Sequence, residues 1–459
     1  MSGSRQKIRI AVVGGGIGGM ALGVSLSSLS LDKVFQVDIY ESTAKLTQVG
    51  AGITIWPRGW EILKNMGLEA SLTERFSPDQ EVPMMSVPKV GFIYRKSDQK
   101  EGVPISVVTM PGGSISYHRA DLQEVLLKHI SPSIQFHLSH RLTTYRQTEK
   151  GLELEFTNGE VAVCDMLIGA DGINSAVRRT FLADGKNWAE NEKNKSGKPV
   201  FSGTYVYRNL IDSQLIRRDA PNHQALTLPI VYCGKSKHIV AYPVSQGKLV
   251  NVLLFVSDIR QEGTYLDGPA VVENTKDDFA SHFKNWEEEA HILVKRTSKP
   301  SKWAIQTLKP LDVFASGRVF LIGDAAHAMP PHLGNGAGQA IEAECDRAND
   351  AYFLSMILAK VIRQGEFSIS KIADVYSAIR QPFGNFTVAA TIRQGLLYEF
   401  NAPGYEDIKD GDVVPEERLN TLGKLIANGW DWTFQSMNAD LQRAFSMLYG
   451  EKDLITAKL

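Results

Sequence analysis

Two places in this chain carry residues whose types and spacing suit an extended, anionic ligand. The first is Gly14-Gly15-Gly16-Ile17-Gly18-Gly19, directly after an apolar run at 8–13. In a Gly-x-Gly-x-x-Gly turn of this kind, Gly14 permits the tight bend and Gly16 lets a pyrophosphate reach the backbone. Gly19 lets the next helix pack closely on the strand. Glu41 ends the second apolar strand, Val37-Asp38-Ile39-Tyr40, and offers acceptors to ribose hydroxyls. The second place follows Val319-Phe320-Leu321-Ile322 and runs Gly323-Asp324-Ala325-Ala326-His327-Ala328-Met329-Pro330-Pro331-His332-Leu333-Gly334-Asn335-Gly336-Ala337-Gly338. There a strand ends on an acid and glycines open the backbone before a helix. Free N–H groups and the positive end of a helix suit an anionic or electron-accepting group. Together they suggest one cofactor held at both ends. The glycine loop alone does not separate FAD from NAD.

Other residues are weaker signals. Arg119 begins a helical stretch and, read alone, is an ordinary surface arginine. Asp171-Gly172 ends the apolar run Leu167-Ile168-Gly169-Ala170, and Asp171 or Ser175 could simply cap the following helix. His327 and His332 flank Pro330-Pro331; one reading makes a base of either, and the reading adopted is that both shape the loop.

The elements that must position these residues show in the periodicity. Residues 8–41 read as strand, turn, helix and strand. Helices are expected near 59–66 and over 119–130, where Leu122, Val125, Leu126 and Ile130 share a face. Residues 82–117 read as strands leaving the first domain, and short strands follow near 134–138, 152–156 and 166–168. The polar stretch 184–198 reads as a connector. β-rich runs at 200–208, 225–232, 237–243 and 249–256 predict a mostly antiparallel sheet, closed by a helix near 277–286. The cofactor-type pattern resumes at Val319, so the first domain is discontinuous, with the sheet inserted into it. From 369 onward the pattern is mainly helical.

With 50 basic and 51 acidic residues and a formal charge of −1, nothing points to nucleic acid or an anionic membrane surface. No apolar run is long enough for a membrane span. Cys164, Cys233 and Cys345 are odd in number and outside any CxxC, which argues against a disulfide framework or a zinc site. No metal is expected. The expected location is cytoplasmic. The C-terminal Ala457-Lys458-Leu459 resembles the Ser-Lys-Leu type of peroxisomal address, which stands as the alternative.

Taken in order, Gly14, Gly16, Gly19 and Glu41, the Asp171-Gly172 turn and the Gly323-Asp324 segment resemble the three signature regions of the group A flavoprotein monooxygenases. Within that family the chain is most similar to salicylate hydroxylases and fungal phenol hydroxylases. Shared features are Gly50-Ala51-Gly52-Ile53, Tyr207-Arg208, Tyr242-Pro243-Val244 and the Gly323–328 run. The resemblance implies an α/β fold: a Rossmann-like FAD-binding domain at 1–82, 112–190 and 304–368. Strands at 83–111 and the β-sheet at 191–303 would form the substrate domain, and 369–459 a helical C-terminal region.

It also implies roles. Gly14, Gly16, Ile17, Gly18, Gly19, Glu41 and Gly52 would hold FAD, with Arg119 near the pyrophosphate and ribose. Asp324 would meet the ribityl chain or pyrophosphate, and Gly334, Gly336 and Ala337 the pyrimidine edge of the ring. Asp171 and Gly172 would serve FAD and the half-reaction with NAD(P)H as cosubstrate. A small aromatic substrate would be hydroxylated with O₂ through a flavin C4a-hydroperoxide, kept from water by the covering sheet. Arg208 and Tyr242 would stabilise a phenolate, and the Pro331 carbonyl would face the ring pocket. Oxidative decarboxylation of a salicylate competes with ring hydroxylation or dearomatisation of a phenol without CO₂ loss. A flavin dehydrogenase or a non-catalytic flavin-binding protein are the other classes. Two departures from many relatives are Pro57-Arg58, where they carry Pro-Asn, and Glu342-Ala343, where they carry Glu-Asp. Oligomeric state is not indicated.

Overall fold

The computed structural model describes residues 7–46, 52–76, 87–113, 115–183, 197–333, 344–365 and 367–450. Strand β1 (Ile8–Val13) lies between Met166–Gly169 and Phe35–Tyr40, parallel to both. A strand flanked and covered in this way is apolar without alternation. The full six-stranded sheet runs Ala315–Ser316, Val319–Leu321, Met166–Gly169, β1, Phe35–Tyr40, Gln135–His137. Helix α1 (Ile17–Ser28) is apolar nearly all round because it is covered twice. One side faces the sheet, and the other packs against Arg119–His129 and Glu344–Gln364.

The second sheet has eight strands: Val271–Val272, Ser301–Thr307, Val200–Asp212, Leu249–Ser257, Lys237–Val244, Ile230–Gly234, Pro88–Lys96 and Val103–Pro111. Every pair is antiparallel except Ile230–Gly234 with Pro88–Lys96. Alternation divides its residues between two faces. Tyr207, Ile239, Ala241, Val252 and Leu254 meet helices Ser213–Asp219 and Glu288–Arg296. Val206, Tyr242, Leu253 and Phe255 form a separate cluster on the opposite face. That second face is the one available to a ligand.

The run expected as a strand at 225–232 is a 3-10 turn at Gln224–Leu226, and its strand begins only at Ile230. The ring nitrogen of His223 accepts from the Ala225 amide and starts the turn, and Pro229 has no N–H to give a ladder. The expected helix at 277–286 is a short 3-10 segment, Phe279–Phe283. The α-helix comes next, at Glu288–Arg296, with Glu288 and Glu289 in its first turn and Lys295 and Arg296 in its last, as its dipole favours. Residues 184–196 lie outside the described residues.

The C-terminal region is helical: Ile369–Tyr398, Glu416–Asn428 and Asn438–Tyr449. Glu416–Asn428 lies on the edge strand Val103–Pro111, and Trp430 packs against Trp56 and Phe92. Arg58, a departure noted above, is the latch. It is buried, donates to the Gln435 carbonyl at 2.8 Å and to Asp440 at 3.2 Å, and stacks on Phe383. Glu342-Ala343 lies outside the described residues.

Candidate functional site

A cleft of about 1130 Å³ opens at the C-terminal ends of the parallel strands. Gly14, Gly16, Ile17, Gly18, Glu41, Arg119, Asp171, Gly172 and Asp324 all line it. Gly14 sits at φ +112°, and a side chain there would meet the Ala170 carbonyl at 2.2 Å. Gly16 caps α1 without a side-chain hydrogen bond, and the space beside its Cα is open for at least 4 Å. The amides of the first turn are therefore directed at the cleft, and α1 has no acid in that turn to compete with an anion. Gly19 lies beneath the loop rather than on the cleft wall, against the Gly14 carbonyl. Gly52 begins a strand paired with Ile115–His118, opposite the residue before Arg119. Gly334, Gly336 and Ala337 lie outside the described residues.

Asp171 does two jobs. Its Oδ2 accepts from the Ala176 and Val177 amides at 2.7 and 3.1 Å, capping Ala176–Ala183. Its Oδ1 is buried with no partner and faces a cleft that it lines. Burial pushes this carboxyl up, against the pull of Ser175 and the two amides. Ser175 Oγ adds a third cap bond, to the Arg178 amide. Arg178 was not singled out by the sequence, yet its fully buried guanidinium ties this turn to the other one. It donates to the Ile173 and Ala325 carbonyls at 2.5 and 3.0 Å. Glu41 reaches back to the loop, accepting from the Gly15 amide at 2.8 Å. An elongated cleft with free helix-end amides, an open glycine approach and acceptors at Glu41 and Asp171 fits a dinucleotide.

His327 does not face the cleft. Its Nε2 lies 2.8 Å from Asp350, which also accepts from Arg380 at 2.7 Å and from the Gly323 amide at 2.8 Å. Burial alone would raise Asp350, but Arg380 and His327 outweigh it and bring its pKa to about 2. This is a structural triad that holds the Gly323 turn.

Beyond the cleft, the 328–333 segment reaches a second, apolar pocket of about 430 Å³ under the second sheet. Tyr242 and Pro331 line it, with Trp56, Tyr94, Leu253, Phe255, Tyr398 and Trp430 among its other walls. Arg208 is not a lining residue. It lies on the same sheet face, directly opposite Leu253 on the neighbouring strand, with its guanidinium 5.2 Å from the Trp303 ring centre. Helix Ile369–Tyr398 supports the loop: Thr391 Oγ1 donates to the Pro330 carbonyl and accepts from the Leu333 amide. A side chain at Gly395 would meet the His332 ring at 2.4 Å, so the helix must be bare there.

The polar groups of this pocket are ordered. Trp430 Nε1 donates to Tyr94 Oη at 3.1 Å, Tyr94 and Tyr398 hydroxyls lie 3.1 Å apart, and Tyr398 donates to the His332 carbonyl at 2.9 Å. That run of donors ends on the loop itself. A second group was not anticipated. His238 stacks on Phe255, its Nδ1 lies 2.9 Å from Glu399 Oε1, and Ser257 Oγ donates to the same oxygen at 2.9 Å. His238 Nε2 and His332 Nδ1 are buried and lack hydrogen-bond partners. Burial lowers both imidazoles to about 3, so both are neutral, and raises Glu399 to about 7. His332 thus lines the pocket as well as shaping the loop.

Comparison with known proteins agrees with this geometry. Residues 7–193 and 224–391 match the FAD binding domain family. Two salicylate hydroxylases of Pseudomonas putida are 32% and 33% identical to the chain, over 97% and 98% of it and 95% and 97% of their own lengths. The 6-methylsalicylate 1-monooxygenase of Aspergillus terreus is 32% identical over 96% of the chain and 93% of its own length. A solved salicylate hydroxylase substrate complex superposes with a TM-score of 0.77 at 26% identity, covering 96% of this chain and 98% of that one. Cleft, ring pocket and full-length similarity coincide, and the chain belongs to the FAD-dependent aromatic monooxygenases, which use NAD(P)H and O₂.

Proposed function

We propose that the chain acts on a salicylate-type o-hydroxybenzoate, hydroxylating the carboxyl-bearing carbon with release of CO₂. The observation that carries this reading is the aromatic-walled pocket beside the Gly323–333 turn, bordered by Tyr242 and the Pro331–332 loop. The names of the full-length relatives support the substrate class. FAD, when bound and reduced by NAD(P)H, supplies the activation of O₂ that adds one oxygen to the ring. Gly14, Gly16, Ile17 and Gly18 would hold its pyrophosphate, Glu41 a ribose, and Arg119 and Asp324 the middle of the chain.

The protein's own contribution is binding, water exclusion and charge. Tyr242, 3% exposed, would donate to the phenolic oxygen and so stabilise the electron-rich ring. Stacked aromatic walls keep water from the reacting carbon. Arg208 would leave Trp303 and swing across Leu253 to hold the carboxylate, since paired residues on adjacent strands lie about 5 Å apart. Replacing Arg208 by Met is expected to raise KM for salicylate about tenfold or more, as loss of a charge-assisted hydrogen bond does. Salicylate incubated with enzyme, NAD(P)H and ¹⁸O₂ should release CO₂ in step with NAD(P)H consumed. A hydroxylated product that retains its carboxylate would sink the decarboxylative reading.

One observation favours the second reading, hydroxylation or dearomatisation of a phenol without CO₂ loss. Among the described residues no cationic side chain lines the pocket as it stands. A panel of phenols without a carboxylate, outperforming salicylate in kcat/KM, would decide for it. We place the protein in the cytosol, in keeping with buried free thiols at Cys164 and Cys233. Appending residues 450–459 to a fluorescent protein tests the peroxisomal alternative; punctate fluorescence would overturn the cytosolic assignment.

A further inference from the structure

The ring pocket is not the only cavity in contact with His332. A second one, of about 430 Å³, lies on the other side of the loop, with Ser202, Thr204, Ser257, Glu262, Thr307 and Glu399 on its walls. Hydroxyls and carboxylates stand on its walls beside Ile259, Pro330, Ile392 and Leu396, whereas the ring pocket is lined mainly by aromatics. His238 bridges the two. Its ring lines the ring pocket, its Nδ1 meets Glu399, and its Nε2, at the far end of the imidazole, is buried without a partner. From Glu399 the contacts continue through Ser257 Oγ at 2.9 Å to Thr204 Oγ1 at 2.8 Å from it, both on the second cavity.

We propose that His238, Glu399, Ser257 and Thr204 form a proton line that carries the phenolic proton of the substrate out of the ring pocket to the second cavity. The proposal rests on the reading that this pocket binds a phenol. Three observations bear on it. An imidazole nitrogen buried without a hydrogen-bond partner is costly, and a bound hydroxyl relieves that cost. Glu399 ends helix Ile369–Tyr398, where the helix dipole disfavours a carboxylate, yet it is 3% exposed and hydrogen-bonded on one oxygen. A buried acid placed so poorly for stability is more readily explained by use than by packing. Its pKa of about 7 lets it take up and release a proton near neutrality.

The bookkeeping of bonds closes. With Glu399 ionised, Nδ1–H of His238 donates to Oε1 and Nε2 presents a lone pair. The substrate O–H breaks as Nε2–H forms, and Nδ1–H breaks as the Glu399 O–H forms. The imidazole passes from one neutral tautomer to the other and never becomes cationic, which its low pKa would oppose. Glu399 then gives its proton to Ser257 Oγ as Ser257 gives its own to Thr204 Oγ1, and Thr204 gives its own to solvent water entering the second cavity. Run backwards, the line returns a proton to the product before it leaves. The other ionisable groups around Glu399 are His332 on the loop, Tyr398 on its own helix, Cys233 on the adjoining strand, Glu262 across the second cavity, and the Lys96–Asp98 pair beyond Cys233. His332 is neutral, burial holds Cys233 and Tyr398 protonated, and Lys96 pairs with Asp98; of the two remaining carboxyl groups, Glu399 is the one in contact with His238.

The test uses FAD-loaded enzyme and 4-nitrophenol, whose phenol and phenolate differ in colour. In the unchanged enzyme the bound probe should ionise with a midpoint at least about one pH unit below that in Glu399→Gln, a tenfold difference. Glu399→Gln should also lower kcat for aromatic-stimulated NAD(P)H oxidation about 10²-fold, keep KM within about threefold, and abolish the rise in kcat near pH 7. Ser257→Ala and Thr204→Val should leave the probe's midpoint in place and enlarge the D₂O effect on kcat. If Glu399→Gln does not load FAD, Glu399→Asp gives the same readings at smaller amplitude. Flavin-loaded Glu399→Gln that ionises the probe at the same pH and keeps kcat within about threefold overturns the proposal. Failure of every phenol to stimulate NAD(P)H oxidation would instead overturn the hydroxylase reading, while the colour of bound probe would still judge the proton line.

Discussion

Single residues in this molecule act by what they leave unpaired or pair too well. Asp350 accepts from Arg380, His327 and the Gly323 amide, so Asp350→Asn removes the negative charge that the buried Arg380 guanidinium meets at 2.7 Å. We expect a loss of about 3–5 kcal/mol in denaturant unfolding with the fold retained. The pH dependence has a definite sign. A carboxyl held at about 2 when folded, against about 3.9 unfolded, contributes stability that is complete above about pH 4. That stability should fade as pH drops towards 2, and Asp350→Asn should lose this acid-side slope in thermal melts at graded pH. Glu399 works in the other direction. Raised from 4.5 to about 7, it favours the folded state while protonated, so its effect on stability declines as pH rises across that window. At the substrate, Tyr242→Phe should lower kcat/KM about tenfold without loss of bound flavin, since one hydrogen bond to a charged oxygen is removed. Unchanged kcat/KM would remove Tyr242 from the chemistry.

At the scale of elements, what the sequence revealed was local and what it hid was distant. Gly14 to Gly19, Glu41, Asp171-Gly172 and Asp324 each sit at the end of a strand in one sheet, and each strand announces itself by a short apolar run beside its turn. The cleft follows from putting those strands in parallel. The ring pocket has no such signature. Trp56, Phe92, Val231, Tyr398 and Trp430 come from separate segments, and periodicity cannot tell a pocket wall from core. His238 and Glu399 stand 161 positions apart and meet only because the long helix crosses the sheet. The turn at Gln224–Leu226 was hidden by apolar residues that suit a strand until His223 and Pro229 are considered. One contact between elements is directly testable. Gly395→Ala puts a methyl group into the His332 ring, so the Pro330–333 loop must shift. A displacement near 1 Å beside the reacting ring should cost about 10²-fold in kcat while flavin absorbance stays. A variant with full kcat would show that the loop position is not critical.

Across the whole molecule, the C-terminal region supplies Tyr398 and Trp430 to the wall of the aromatic pocket. Arg58 latches them to the first domain through Gln435, Asp440 and Phe383. Arg58→Ala should expose the 416–449 region to limited proteolysis and raise KM for the aromatic, with FAD affinity within about threefold, because the cleft lies elsewhere. Equal proteolysis of both proteins would show that the latch is dispensable.

The position of Trp430 and Tyr398 in the pocket wall has a consequence for how the protein is made. Every described residue on the cofactor cleft is synthesised by Asp324, whereas the ring pocket lacks part of its wall until the chain has grown past Trp430. A nascent chain therefore completes the described part of this cleft about a hundred residues before the wall of the aromatic pocket closes. Exchanging the tail for that of a relative should alter this pocket wall while leaving the described cleft residues in place.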